Sequence, residues 1–365
     1  MCSSDLTQLR NQLQLGVQSS WEIDLFGGAA RNREAARAQL ASSAAAWHDA
    51  RVSLAADVAN AYVNYRYCEI QRRIAGVDSD TRNDTARITG IAARAGFQSA
   101  SAAALAQATA ADAANGFAQR RTQCEVAIKG LVSLTGLEEP ALRTLLQRDA
   151  GRLPEPAGLQ VDAVPARVVQ QRPDIAQAER DLAAASAQVG VQAATLYPSI
   201  TLSGNILPTR ISLNGGPPLS VETWSIGPSL FVPLLDGGRR EASVAAARAQ
   251  LAALDTAYRA KVRNAVREVE EALVRLDGAD LRLQEVRKAL SGLQSGLDAT
   301  EIRFKAGFAS ELELLDSRRA QLSAESSFAA WQQERVSAWI ALYRALGGGW
   351  DGDLGLPNPS LSGVR

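Results

Sequence analysis

The sequence predicts a mainly α-helical protein with a small β part, in which one unit of strand, long helix and returning helix occurs twice. Long spans without proline, 29–95 and 239–356, are rich in residues that favour helix. The segments before them alternate apolar and polar residues in the two-residue period of a strand. Each change of period falls at a glycine pair, Gly27-Gly28 in the first copy and Gly237-Gly238 in the second, so strand-to-helix turns are expected there.

A constant offset of 211 positions relates the two copies (248 − 37 and 306 − 95). The sequence Arg-Ala-Gln-Leu occurs at 37–40 and at 248–251, and Ala-Gly-Phe occurs at 95–97 and at 306–308. One offset kept over about a hundred positions indicates an internal duplication. The predicted segments are a first repeat at 1–137, a proline-rich linker at 138–175, a second repeat at 176–347 and an irregular tail at 348–365.

The first repeat contains a strand, a long helix and a returning helix. Residues 12–25 alternate strictly, which fits either half of a soluble β-sandwich or a strand with one face in lipid and one in water. The span 29–95 would extend roughly 100 Å as one helix. Gly96 ends it, and Ser99 begins a second, alanine-rich helix that runs toward Leu134.

Proline positions and the periodicity of apolar residues also predict the elements of the linker and the second repeat. Five prolines exclude a long helix between 138 and 173. The elements predicted after the linker are a helix over 176–194, a strand over 200–206, a polar loop over 208–222, a strand over 224–234, a long helix from 239 to a turn at Gly307, and a returning helix over 311–346.

Composition limits the classes of function. Lys+Arg 39 and Asp+Glu 39 cancel, so no excess of positive charge favours nucleic acid. No run of about 18 apolar residues predicts a transmembrane helix. Cys2, Cys68 and Cys124 have no metal-ligand spacing and leave at least one cysteine unpaired. We expect Cys68 and Cys124 to be small buried residues within helices.

Neither a catalytic site nor a metal or cofactor site is predicted. His48 is the single histidine, which excludes a histidine metal cluster, and it is expected to be an ordinary surface or packing residue. Asp-Gly-Gly-Arg at 236–239 stands at a helix start, but no phosphate-loop lysine follows it. Glu268, Glu270 and Glu271 are expected on a solvated helix face. The protein is therefore not expected to be an enzyme.

Four motifs resemble those of TolC-type outer-membrane factors. They are Trp-Glu-Ile-Asp-Leu-Phe-Gly at 21–27, Gln-Arg-Pro-Asp-Ile-Ala-Gln-Ala-Glu at 171–179, Leu-Tyr-Pro-Ser-Ile at 196–200 and Pro-Leu-Leu-Asp-Gly-Gly at 233–238. The resemblance is closest to the lipoprotein branch that serves resistance-nodulation-division (RND) efflux pumps, and it covers about 13–347. It implies a homotrimer whose strands form one outer-membrane β-barrel and whose helices form a tunnel across the periplasm. The implied partners are a periplasmic adaptor (membrane fusion) protein, an inner-membrane RND pump and outer-membrane lipid.

The start of the sequence departs from the family pattern. Met-Cys-Ser-Ser-Asp has neither the basic nor the apolar region of a secretory signal. The lipoprotein signal, the first helix and the first strand of the family also have no counterpart. Cys2 has no lipobox before it, so the family's acylation is not transferred to it. We expect the natural start to lie upstream.

Two functions follow from these observations. One is a passive duct of a tripartite efflux pump, which exports drugs or other small molecules from the periplasm to the exterior. The other is a soluble coiled-coil scaffold, periplasmic or cytosolic, with no channel. The alternating strands favour the duct, and a few strands with open edges require several chains to cross a membrane. Since a passive duct leaves substrate choice to the pump, the sequence does not name the exported compounds.

The glycine turns are the candidate contact points for the pump. Gly96 with Phe97, and Gly307 with Phe308, are expected at the periplasmic tips, where the family meets its adaptor and pump partners. Phe304 and Phe308 are expected to pack the second turn.

Two carboxylates follow the second turn. Glu313 and Asp316 lie three residues apart, hence on one face of the returning helix. Acidic groups also stabilise a helix N-terminus, which is the alternative reason for their presence. The first repeat carries Ala102 and Leu105 at the equivalent positions (313 − 211 and 316 − 211). The resemblance implies that Glu313 and Asp316, with Phe304 nearby, narrow the periplasmic aperture.

Overall fold

The computed structural model describes residues 10–155, 171–213 and 216–354. The protein is mainly helical with one small sheet, as predicted. None of the helices in these ranges has a stretch long and apolar enough to cross a membrane. In chain order the elements are β1 (Arg10–Gln14), β2 (Val17–Ile23), α1 (Gly28–Arg94), α2 (Ala100–Thr135), α3 (Glu139–Leu146), a 3₁₀ turn (Gln147–Asp149), α4 (Pro173–Ala194), β3 (Ser199–Leu213), β4 (Leu219–Phe231), α5 (Arg239–Lys305) and α6 (Glu311–Ala345).

The chain forms two compact units. One, here called the sheet unit, consists of Met1–Ala44 with Gln177–Ala260, and the other, the helical unit, consists of Ala45–Ala176 with Lys261–Arg365. Each unit draws on both predicted repeats. The repeats describe a duplication in sequence, whereas the units describe compaction in space.

The elements themselves recur with the offset seen in the sequence. Helices α1 and α5 both have 67 residues, and both of their ends differ by 211 positions (239 − 28 and 305 − 94). Ser99 and Ser310, again 211 apart, cap the helices that follow. The two returning helices begin at Ala100 and Glu311, with the same displacement.

Strand β3 is central to the sheet. It pairs antiparallel with β1 and β2 along one edge and with β4 along the other. The register does not change between β1 and β2, since Gln14 faces Thr209 and Val17 faces Ile206. The interruption lies opposite Pro208, whose carbonyl accepts the Leu15 amide at 3.2 Å but which has no N–H to return. Strands β1 and β2 are therefore one strand with a missing hydrogen bond.

The loop predicted over 208–222 is wrong in its extent. Strand β3 continues to Leu213 and β4 begins at Leu219, so the hairpin is longer than its proline content suggested. Pro208 is accommodated because its missing amide faces β1 and β2, which leaves the pairing with β4 intact. At the other end β4 stops at Phe231, before the predicted end at 234, and Pro233 follows.

Both long helices begin at an aspartate that caps the helix. The Asp24 carboxylate accepts the amides of Ala29 at 3.0 Å and Ala30 at 2.7 Å. In the second copy, the Asp236 carboxylate accepts the amides of Gly238 at 3.0 Å and Arg240 at 3.3 Å. These bonds satisfy helix amides that have no partner within the helix.

The glycines at these junctions allow the change of direction. Gly27, Gly237 and Gly238 have φ of 77°, 66° and 82°, a region that a residue with a Cβ rarely adopts. Gly28 is instead the first residue of α1, where an added Cβ would lie 3.1 Å from the Cβ of Ala194 in α4. It is therefore a site of close helix packing.

A buried charged group anchors the polypeptide after α3 to α1. Arg66 is almost fully buried and pairs with Glu69 at 2.8 Å. The Glu69 carboxylate also accepts the Tyr65 hydroxyl at 2.9 Å and the Gly151 amide at 3.1 Å. Burial, together with this hydrogen bond, raises the pKa of Tyr65 to about 12, so this phenol stays protonated at physiological pH.

Cys68 and Cys124 lie in helices, as predicted, with Cys124 buried and Cys68 half-buried, but their pairing was not predicted. They form a disulfide between α1 and α2, with their Cα atoms 5.6 Å apart. Both lie 28 residues from Gly96 (96 − 68 and 124 − 96), so the antiparallel helix pair places them opposite each other. The equal distance of the two cysteines from the turn at Gly96 indicates their pairing, whereas the spacing between the cysteines alone does not.

Replacing Cys68 and Cys124 by serine should lower the free energy of unfolding by about 2–4 kcal/mol, because the unfolded chain loses a closed loop. Guanidinium unfolding in detergent, with and without reductant, measures the change. Reductant should bring the wild-type protein to the stability of the double variant and leave that variant unchanged. Cys2→Ser serves as the control that keeps this cysteine pair. Complete alkylation of both thiols in unreduced protein would contradict the bond.

Candidate functional site

The sheet has two chemically different faces. Opposed pairs such as Trp21 with Leu202, and Ile206 with Trp224, place large apolar side chains on one face. We call this the apolar face, and its members are Leu13, Leu15, Val17, Trp21, Ile23, Ile200, Leu202, Ile206, Trp224, Ile226 and Leu230. The opposite face carries, over the same length, Gln14, Gln18, Ser20, Glu22, Thr201, Ser203, Asn205, Thr223, Ser225 and Ser229.

None of the described residues covers the apolar face. Most of its side chains are exposed, with Leu15, Val17 and Trp224 among the most exposed. An apolar surface of this extent marks contact with lipid or with another protein. A strand with one apolar and one polar face is the pattern of a β-barrel that separates lipid from water.

The edges of the sheet are open as well. Among the described residues, the outer edge of β1 and β2 and the outer edge of β4 have no strand partner. Unpaired backbone amides and carbonyls cannot enter hydrocarbon. The sheet can therefore lie in lipid only when further strands pair with both edges.

Aromatic side chains gather where the sheet joins its helices. Phe26 stacks on Tyr197 with 4.6 Å between ring centroids, and the guanidinium of Arg240 lies 5.0 Å from the ring centroid of Phe231. Arg240 also forms an ion pair with Asp236. Aromatic rings beside charged groups are typical of the boundary between membrane and water. This end of the sheet has the composition of such a boundary.

The predicted tip turns are closed by their backbones. Gly96 and Gly307 have φ of 80° and 77°, and the amides of Phe97 and Phe308 donate to Ala92 and Arg303, each at 2.8 Å. These bonds satisfy carbonyls that the helix end leaves free. The two turns share one geometry, as their sequences predicted.

The prediction that Phe308 packs the second turn is wrong. Its side chain is 77% exposed, and Phe97 in the first turn is 85% exposed. Backbone hydrogen bonds close the second turn, and the Arg303 side chain donates to the Phe308 carbonyl at 3.1 Å. Phe304 lies one turn earlier in α5 and is less exposed. Both turns thus present a phenylalanine to the surroundings.

Glu313 and Asp316 both lie in the first two turns of α6, and each has a local partner. The Ser310 amide donates to the Glu313 carboxylate at 2.7 Å, and the Glu313 amide donates to the Ser310 hydroxyl at 3.2 Å. This capping box gives Glu313 a structural role. Asp316 forms an ion pair with Arg319 and remains largely exposed. The helix-capping alternative therefore holds for Glu313, while the aperture stays a prediction for both acids.

Arg172, in the 171–179 motif, has a role that was not predicted from the sequence. Its guanidinium binds both oxygens of Asp174 at 3.0 Å, Glu268 at 2.8 Å and the Ala345 carbonyl at 3.1 Å. The start of α4 is thereby joined to α5 and to the end of α6 within the helical unit. Glu268 lies on the exposed helix surface, as predicted, and is also an ion-pair partner of Arg172. The sequence shows an arginine beside proline and aspartate, but it does not show that Glu268 and Ala345 are its partners.

His48 also has partners that the sequence did not identify. Its ring lies 4.9 Å from Trp47 and 5.6 Å from Trp350 between centroids. Trp350 follows a run of three glycines with positive φ, and Gly348 approaches Val52 so closely that an added Cβ would lie 2.5 Å from a methyl carbon. His48 is therefore a packing residue, which was one of its two predicted roles.

The model of the family described as "Outer membrane efflux protein" matches residues 6–137 and 164–348. Nodulation protein T of Rhizobium leguminosarum bv. viciae is 32% identical over 346 residues, which cover 95% of this chain and 71% of that protein. The chain belongs to the outer membrane efflux protein family. The probable efflux pump outer membrane protein TtgC of Pseudomonas putida is 30% identical over 353 residues, with 95% and 71% covered.

A solved structure shares the fold. The open state of the MtrE outer membrane channel of Neisseria gonorrhoeae has a TM-score of 0.72 and 26% identity, covering 96% of this chain and 82% of that one. Membership of this family assigns the protein to the outer membrane as an efflux channel. The alternative of a soluble coiled-coil scaffold is not supported. The apolar face and open edges of the sheet are the features by which this chain fits that membership.

Ser310→Ala should raise the hydrogen-exchange rate of amides in the first turn of α6 about fivefold, because losing an N-cap costs about 1 kcal/mol. Mass spectrometry of the peptides that cover 311–314 measures the rate. Ser99→Ala is the matched control, since it should change exchange only at the start of α2, where Ser99 accepts the Ala102 amide at 3.1 Å. Unchanged exchange in 311–314 would contradict the capping role.

Proposed function

We propose that this protein is the passive outer-membrane duct of a tripartite efflux pump, through which drugs or other small molecules pass from the periplasm to the exterior. The observation that carries the proposal is the exposed apolar face on a sheet whose polar face and open edges require closure. Long helices continue from two of its strands through capped turns. A duct of this kind needs no catalytic group.

The duct is a homotrimer. A small sheet with two open edges closes into a barrel only when copies of the chain pair edge to edge. Three copies place the apolar faces toward outer-membrane lipid and the polar faces toward a common lumen. The two repeats, at 1–137 and 176–347, then supply each copy with two helix pairs, and the segment over 138–175 links them.

The helices lie in the periplasm. The disulfide between Cys68 and Cys124 supports this placement, because disulfides persist in the oxidising periplasm and are rare in the cytosol. The exposed Phe97 and Phe308 at the two turns form the contact for a periplasmic adaptor protein and an inner-membrane RND pump. Exposed aromatic side chains are frequent anchors of protein interfaces.

The carboxylates of Glu313 and Asp316 narrow the periplasmic aperture. In a trimer they would place six acidic groups around one axis, where poor screening would make the resting channel small and cation-selective. Phe304 lies one turn before Gly307 and adds apolar bulk near the turn. The ion pair of Asp316 with Arg319 is a local interaction that opening of the channel could exchange for others.

Channel recordings test the duct and its aperture together. The protein, expressed with whatever its gene places before residue 1, should sediment as a trimer in detergent and conduct in planar bilayers. Glu313→Gln with Asp316→Asn should change single-channel conductance and weaken block by divalent cations about tenfold, because the charges are lost while the capping geometry is kept. Glu311→Gln, in the same helical turn, is the control. Absence of conductance in the wild-type trimer would refute the duct, and an unaltered block in the double variant would refute the aperture alone.

Adaptor contacts should map to the glycine turns. Cysteines introduced at Gln98 and Ala309, next to Phe97 and Phe308, should cross-link to the adaptor protein in cells, because the exposed rings anchor the contact. Ser220→Cys on the β3–β4 hairpin is the control and should not react. Mass spectrometry of the cross-linked peptides identifies the partner. Adaptor cross-links from Ser220→Cys alone would reverse the orientation in the membrane.

A further inference from the structure

The apolar side of the sheet changes toward the end of the β3–β4 hairpin that is away from the helices. Beyond Ile206 the apolar face is continued by Pro208, Arg210 and Ser212 of β3 and by Ser220 and Glu222 of β4. The opposite face, polar until Asn205 and Thr223, becomes aliphatic apart from Thr209. We call this aliphatic surface the tip patch, and its members are Leu207, Ile211, Leu213, Leu219 and Val221.

Apolar residues change from one face of the sheet to the other because of the order of residues in the sequence. The register of the strands does not shift. The pairing of β3 with β4 runs through thirteen consecutive partners without a bulge, from Ser199 with Phe231 to Ile211 with Leu219. Successive residues of a strand point to opposite faces, so Leu207 and Val221 share the face of Asn205 and Ser225. The tip patch therefore points toward the side that is polar over the rest of the sheet.

The charges on the other side locate the limit of the hydrocarbon. Arg210 and Glu222 stand on the continuation of the apolar face, and a charged group facing lipid costs less near the membrane boundary than at its centre. Leu13, which pairs with Arg210, is the last apolar residue on this side. The hydrocarbon therefore ends near Arg210, and Ser212 lies at or beyond the outer boundary of the membrane. Lipid is not available to cover the tip patch, which faces away from it.

The described residues nevertheless leave much of the tip patch exposed. Leu219 is 64% exposed and Val221 is 42% exposed. On the β1 side the same face is polar, because Arg10 stands opposite Leu213 and Gln12 stands opposite Ile211. On the β4 side the patch reaches the open edge of the sheet, where the next strand must pair. The patch is thus continuous with the edge that a second copy of this chain completes.

We infer that the tip patches of the three copies turn inward, meet across the lumen and form an apolar ring at the outer mouth of the trimer. This inference rests on the proposed trimeric duct. The ring buries side chains that would otherwise face water, and thereby holds the hairpin ends together outside the membrane. An apolar ring of this kind also narrows the resting channel, since water leaves a narrow apolar constriction readily.

Cross-linking with a short bis-maleimide tests the ring in outer membranes that contain the full protein with Cys2→Ser. Val221→Cys, in the tip patch, should give covalent dimers and trimers. Glu222→Cys, its neighbour on the other face, should give none. A bulky impermeant maleimide added outside the cells should label position 221 at least tenfold more slowly than position 222. Leu219→Cys provides a second tip-patch position if Val221→Cys is poorly expressed.

The possible results distinguish a failure of the apolar ring from a failure of the proposed trimeric duct. Wild-type protein that is not a trimer in the outer membrane would refute the duct. A stable trimer in which positions 221 and 219 neither cross-link nor resist labelling would overturn the apolar ring alone. As an independent readout, Leu219→Gln with Val221→Gln should raise the resting single-channel conductance at least twofold, whereas Thr223→Gln, on the same face below the patch, should not. An unchanged conductance in the double variant would count against the ring.

Discussion

Among the described residues, the backbone groups along the two outer edges of the sheet have no strand partner, and this is the constraint on which the rest of the structure depends. Water can satisfy such groups, but hydrocarbon cannot. The apolar face needs lipid, and the edges prevent one chain from entering lipid alone. Assembly and membrane insertion are therefore one problem for this protein. The polar face acquires its purpose in the same step, because closing the sheet encloses it in a lumen.

The junction between strand and helix is solved twice by the same chemistry. Asp24 and Asp236 accept hydrogen bonds from the amides at the start of helices that run for 67 residues. Glycines in the left-handed region turn the chain between each preceding strand and its helix. The second copy has changed elsewhere. Its tip turn is followed by a capping box, where the first copy has a serine cap alone. Duplication kept the geometry of the turns, while the acids of the second copy added a local function.

Much of the fold could be predicted because its causes are local. Proline-free spans, an offset of 211 and alternation in 12–25 predicted the two long helices, the two returning helices and the order of the strands. Helix α4 begins three residues before its predicted start, and α3 was not predicted. The hairpin was predicted too short, because Pro208 was interpreted as a loop residue. Whether Pro208 interrupts a strand depends on which neighbouring strand its missing amide faces. That is decided by the pairing of strands that are distant in the sequence.

The sequence by itself determined the duplication, the length of the long helices, the glycine turns and the two faces of the strands, since each follows from residues close together in the chain. Only the tertiary structure decided which cysteines pair, that Arg172 joins α4 to Glu268 and Ala345, and that Phe308 is exposed. It also decided which side chains share the tip patch, because strand register places residues of β3 and β4 on a common face. Contacts between distant residues depend on packing, and local pattern does not encode their geometry.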